Sequence, residues 1–143
     1  YDMWFPEGFR ILMEQGADMV CIPTDWIPFP NKNRTFDEKG RFMPHYLAIA
    51  NAHANAMYVI CADRIGIERG QRFLGRSIII GPSGWPLAGP ASPEKEEILM
   101  ADINVVESRR AKILNNLNDI IRDRRTDVYD AMLGYTMSSR ISW

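Results

Sequence analysis

Four side chains in this 143-residue chain could supply a nucleophile and its base: Cys21 and Cys61 as thiolates, His45 and His53 as proton acceptors. Such a pair would make a thiolate nucleophile with its general base. Both cysteines lie inside apolar runs, "DMVCIP" and "MYVICAD". Free cysteine in that setting behaves as a small buried hydrophobe with an inert, protonated thiol. His45 follows Pro44 near a helix start and His53 stands between alanines, so both read as structural histidines. There is no CxxC or HExxH spacing, and the carboxylates are dispersed along helical stretches, so no metal is expected. "GPSGWP" has the glycines of a hairpin turn and lacks the strand-to-helix setting of a catalytic serine. No glycine-rich phosphate loop is present. Taken alone, the chain carries no complete catalytic constellation.

The elements around these residues belong to one ordinary globular domain. Apolar residues make up 46% and charged residues 24% of the chain, enough for a single core. A net charge of −1 gives no electrostatic basis for a nucleic-acid or charged-membrane partner. The basic pairs Arg109-Arg110 and Arg124-Arg125 sit among Glu107, Asp119, Asp123 and Asp127 and read as a solvated helical face. No run approaches the roughly 18 apolar residues of a spanning helix. With no signal-peptide pattern and only two cysteines, the expected location is the cytoplasm.

Periodicity then predicts the order of elements. "FPEGFRILMEQG" reads as a helix with Pro6 in its first turn, Gly16 at its end, and Phe9, Leu12 and Met13 on one face. "ADMVCIP" follows as a buried strand stopped by Pro23. Residues 24–41 form a long polar and aromatic loop, a common carrier of function. Residues 43–56 are Ala-rich and helical, 57–63 a second strand, and Ile78–Ile80 with Trp85–Ala88 a hairpin. "EEILMADIN" is expected as a further strand, and "VVESRRAKILNNLNDIIRD" as one long amphipathic helix. The tail has no clear period. This is a layered α/β domain with a mixed sheet, opening on a helix that no strand leads into.

The opening segment "YDMWFPEGFRILMEQGADMVCIPTDW" resembles the stretch that follows the nucleophilic cysteine in the nitrilase superfamily of carbon–nitrogen hydrolases. There a strand ends in Cys-Tyr-Asp-x-x-Phe-Pro-Glu, and a helix leads to Gly-Ala-Asp, an apolar strand and a Pro-Ser/Thr-x-Trp segment. Tyr1, Asp2, Phe5, Pro6, Glu7, Arg10, Gly16, Ala17, Asp18, Pro23, Thr24 and Trp26 all fit. The likeness continues through Asn55, Tyr58, Arg64-Ile65-Gly66, Phe73, Gly75, Ser77, Pro82 and Gly84 to Arg124–Tyr129. Four positions depart from it: Trp4 stands where an Arg is frequent, Asn51 and Ala54 replace an Arg and a Glu, and Asp63 replaces an Asn.

The resemblance implies part of a four-layer α-β-β-α sandwich, with residues 1–129 as the carboxyl-terminal half of the domain and 130–143 as a tail at an interface. It implies a cysteine directly before Tyr1, with a glutamate base and a lysine further upstream. It implies hydrolysis of a carbon–nitrogen bond through a thioester, with no cofactor. The Tyr1 backbone N–H would donate to the oxyanion. Trp4, Thr24, Asp25 and Trp26 are the candidate lining of the acyl pocket, and an acidic Asp25 there would favour an amine-bearing substrate. Tyr-Asp after the cysteine matches amidase and carbamoyl-amide branches; a nitrilase, or a non-catalytic binding member, stays open. The expected partners are a small amide or nitrile, the missing amino-terminal half, and a second copy in a two-fold homo-oligomer.

Overall fold

The computed structural model describes residues 1–28 and 36–133. The chain begins with a 3-10 turn, Asp2–Trp4, whose Met3 is buried. Helix α1, Pro6–Glu14, starts with proline at its head, where no backbone donor is needed, and buries Phe9 and Met13. Leu12, expected on that face, is 40% exposed. Strand β1, Met19–Thr24, runs through Pro23 rather than stopping there. The proline is tolerated because β1 lies at an edge of the described sheet. Helix α2, Met43–Asn55, ends at Ala56 in the left-handed region, and β2, Tyr58–Asp63, follows.

A short hairpin comes next, β3 (Ile67–Glu68) and β4 (Gln71–Arg72), which the sequence pattern does not announce. Strands β5 (Ile78–Ile80) and β6 (Pro86–Ala88) complete a sheet of order β1-β2-β5-β6. β1 and β2 are parallel, and β5 and β6 are antiparallel additions. The mixed α/β class expected from the sequence stands. Two α-β units in succession bring the carboxyl ends of β1 and β2 to one end of the sheet, where Thr24 pairs in register with Asp63.

The core fills the space between the helices and one sheet face. Met3, Phe9, Met13, Ala48, Ala52 and Met57 meet Val59, Cys61, Ile78 and Ile80. On the opposite face the described residues leave Cys21, Pro23 and Ala62 exposed, with Met19 beside them.

Two expected elements do not form. Residues 96–104 alternate, with Ile98 and Met100 outward at 86% and 83% exposure, yet no strand forms there. Alternation makes a strand only when a ladder partner satisfies the backbone. The long helix is also shorter than its pattern: α3 spans Val105–Ala111. Past it Asn115 accepts from the Leu117 and Asn118 backbone N–H groups, and the chain folds back to bridge Ile113 with Asp119. Asparagine side chains compete with helical hydrogen bonds in this way. Helix α4, Thr126–Leu133, closes the described chain. The expected interface tail, 130–143, lies largely outside the described residues.

The basic pairs are not simply solvated. Arg109 donates to both carboxylate oxygens of Asp18, Nε to Oδ1 at 3.2 Å and Nη2 to Oδ2 at 2.8 Å, tying α3 to the turn before β1. Arg124 pairs with Glu14 of α1.

Candidate active site at the carboxyl end of the sheet

Where β1 and β2 end, Thr24, the last residue of β1, and Trp26 just beyond it meet Asp63, the last residue of β2. The Asp63 carboxylate receives the Thr24 hydroxyl and the Trp26 backbone N–H on one oxygen, Oδ1, each at 2.8 Å. Its own N–H donates to Ser77 Oγ at 2.9 Å, which fixes β2 to the start of β5. The Trp26 carbonyl accepts from the Leu74 N–H at 2.8 Å. The indole stands edge-on to Phe42 and His45, with ring centres 5.0 and 5.2 Å away. Trp26 is therefore half-buried against the core rather than a free rim residue.

His45 is fully buried at the head of α2 and its Nε2 lies 2.8 Å from the Arg76 carbonyl. Burial lowers its pKa to about 4, so the ring is neutral at physiological pH, in keeping with a structural role. Arg76 reaches the Gly40 carbonyl and covers the Phe36 ring, which anchors the far end of the loop.

Asp63 is the unusual group. Its Oδ2 is buried with no hydrogen-bond partner among the described residues, and burial raises the pKa to about 6. An open cavity of about 360 Å³ begins beside it, lined also by Arg64, Ser77, Ser92 and Lys95. Between pH 4 and 6 the folded carboxyl holds a proton that the unfolded one has released. Stability from this group is therefore largest below pH 4 and falls as pH rises through 6. Asp63→Asn is expected to raise the melting temperature at pH 7.5 and leave it nearly unchanged at pH 4. An equal shift at both pH values would contradict this.

The residues anticipated from sequence are distributed as follows. Thr24 and Trp26 are brought together by Asp63. Asp25 turns outward and lies 3.8 Å from Arg64, whose guanidinium also binds Glu68 at 2.7 Å. Tyr1 and Trp4 belong to the opening turn, 92% and 51% exposed, with Tyr1 edge-on to Phe5. That turn is held by Asn51, whose amide reaches the Met3 carbonyl at 3.4 Å. Of the thiols, Cys61 is buried and pushed up to about 12, as an inert core cysteine should be. Cys21 is exposed, contrary to the expectation of burial. Alternation along β1 turns it to the sheet face that the helices do not cover. Asp63 itself was missed as a site residue. Its signal was a carboxylate closing an otherwise apolar strand, "YVICAD".

Parallel strands delivering a polar, aromatic segment to one end of a helix-backed sheet define an α/β enzyme-type scaffold with its ligand end at the strand termini. The family follows from comparison: residues 1–113 match the carbon-nitrogen hydrolase model, and the chain belongs to that family. It is 36% identical over 129 residues to a nitrilase of Pyrococcus abyssi, covering 90% of this chain and 44% of the relative. It is 30% identical over 145 residues to an N-carbamoylputrescine amidase of Arabidopsis thaliana, covering 93% of this chain and 45% of that protein. A solved amidase from Nesterenkonia sp. AN1 superposes with a TM-score of 0.67 at 28% identity, covering 92% of this chain and 42% of that one. That structure carries acrylamide added at its active-site cysteine. The chain spans less than half the length of each of these proteins.

Proposed function

We propose that the intact protein hydrolyses a small amide or carbamoyl amide, releasing ammonia through a thioester on a cysteine directly before Tyr1. The observation that supports this reading is the match of residues 1–113 to the carbon-nitrogen hydrolase family, with amidases among the relatives. In the proposed cycle the thiolate attacks the carbonyl carbon, and the Tyr1 N–H donates to the oxygen as it becomes negative. A glutamate and a lysine from the remainder of the domain handle the proton and help hold the tetrahedral intermediate. Ammonia leaves, and water cleaves the thioester to acid and free thiol. Residues 1–129 act in this reading as the carboxyl-terminal half of the catalytic domain. A two-fold homo-oligomer is part of the same proposal.

Thr24 and Trp26 line the acyl side of the pocket. Asp25, paired with Arg64 at 3.8 Å, is the charge-reading position at its mouth. The test is ammonia release from a panel of amides, N-carbamoyl amines and nitriles. Amides or carbamoyl amides are expected to turn over, iodoacetamide to stop the reaction, and a chelator to leave it unchanged. Asp25→Asn is expected to raise KM for amine-bearing substrates severalfold more than for neutral ones. Turnover of nitriles alone would replace the amidase reading with a nitrilase one.

A further inference from the structure

At the carboxyl end of the sheet, Asp63 ties the Thr24–Trp26 segment to the end of β2 and to Ser77 ahead of β5. Thr24 and Trp26 donate to its Oδ1, and Ser77 receives its N–H. Removing it would leave Trp26 with the Leu74 N–H, the edge-on rings of Phe42 and His45 and its packing on the core. We propose that Asp63 is a positioning residue for substrate binding: its carboxylate sets the conformation of the Thr24–Trp26 segment, and so the place of the Trp26 indole in the acyl pocket. The inference rests on the proposed pocket, because Asp63 reaches the substrate only through that segment.

Two features separate this arrangement from an ordinary strand-end hydrogen bond. First, both donors converge on a single oxygen while Oδ2 stays buried and unpartnered, so the carboxylate is held at a cost to the fold. Second, the charge matters. A carboxylate accepts hydrogen bonds about twice as strongly as a neutral carbonyl. Protonation, which falls naturally on the free Oδ2, leaves Oδ1 as the weaker acceptor. Both bonds to the segment then slacken without either being broken.

The groups facing Asp63 are few. Asp25, on the neighbouring segment, opposes its ionisation, while the Cys61 thiol on its own strand is neutral in this range. The Arg64 side chain is engaged by Asp25 and Glu68. Lys95, Glu96 and Glu97 line the cavity that Asp63 borders. With burial as the main cause, its carboxyl titrates at about 6, inside the range where an assay can follow it.

The experiment uses the intact protein labelled with 5-fluorotryptophan, with the Trp26 resonance assigned through Trp26→Phe. In the wild type that resonance is expected to titrate near pH 6, and KM to rise severalfold below pH 6 with kcat changing less. Asp63→Asn keeps an acceptor at Oδ1 and has no charge to lose, so both pH dependences should vanish. Asp25→Asn should retain them. Thr24→Val, which keeps the shape of the last residue of β1 and loses one donor, should shift the Trp26 resonance and raise KM about threefold to tenfold. Asp63→Ala should do so more strongly; if it fails to fold, Asn and Val carry the test. A Trp26 resonance that ignores Thr24→Val, or a titration that survives Asp63→Asn, overturns the role of Asp63 and leaves the pocket reading intact. A resonance that responds while KM stays flat shows that the segment does not line the pocket. That result overturns the pocket reading and, with it, the role in substrate binding.

Discussion

Intact-mass and peptide mapping of the protein trapped with a slow amide are expected to place the adduct on the cysteine proposed to precede Tyr1. Neither Cys21 nor Cys61 should carry it. Cys61 sits in the core with its thiol pushed up to about 12, so thiolate is vanishingly rare at neutral pH. Cys21 is accessible but lies on the sheet face away from the helices, apart from the proposed site at the strand ends. Replacing the proposed nucleophile by Ala should lower kcat on the order of 10⁴-fold or more, the scale seen when a covalent catalyst loses its attacking atom. Cys21→Ala and Cys61→Ala should leave the chemical step within about twofold, although Cys61→Ala also opens a small core cavity. Full activity without the preceding cysteine, or an adduct on either internal one, would reject the mechanism.

Residues 1–143 expressed by themselves should fail to give a well-packed monomer. The sheet is covered on one face by α1 and α2, while Met19, Cys21, Pro23 and Ala62 stand exposed on the other. Outward Ile98, Met100 and Leu117, all more than 80% exposed, add apolar surface. Patches of this kind drive association when no partner surface meets them. Near-ultraviolet circular dichroism and size-exclusion chromatography should show weak tertiary signal and a broad oligomer distribution. A sharp two-state melt from a soluble monomer would show that the uncovered face needs no partner.

The comparison between residues and structure divides along a physical line. Elements whose periodicity and caps agree were legible. Pro6 and Gly16 bracket the first helix, the Ala-rich run gives α2, and the β-branched runs give β1, β2 and β5. What the sequence concealed depended on partners. Residues 96–104 alternate like a strand but have no ladder, and Asn115 diverts the predicted long helix into turns. In the candidate site, Thr24 and Trp26 were named from sequence because they lie at a strand end. Asp63 was recognised only as a departure from a pattern. Its significance comes from parallel registration of β1 and β2, which sets it opposite Thr24, and one-dimensional spacing does not carry that fact. The exposure of Cys21 was hidden for a related reason: an apolar run does not say which face of a sheet is covered.

The Asp18–Arg109 clasp joins residues 91 positions apart, whereas the Thr24–Asp63 bond joins residues 39 apart. Loop-closure entropy grows by only about 0.6 kcal/mol for each doubling of length, so the longer link is not much harder to make at equilibrium. Order of arrival is another matter. During synthesis both strands and the Thr24–Asp63 contact can emerge and pair well before Arg109 leaves the ribosome. The turn before β1 must then wait, its carboxylate without that cation, for 91 further residues to appear. The ligand end of the sheet is thus assembled early, and the opposite end is fastened last.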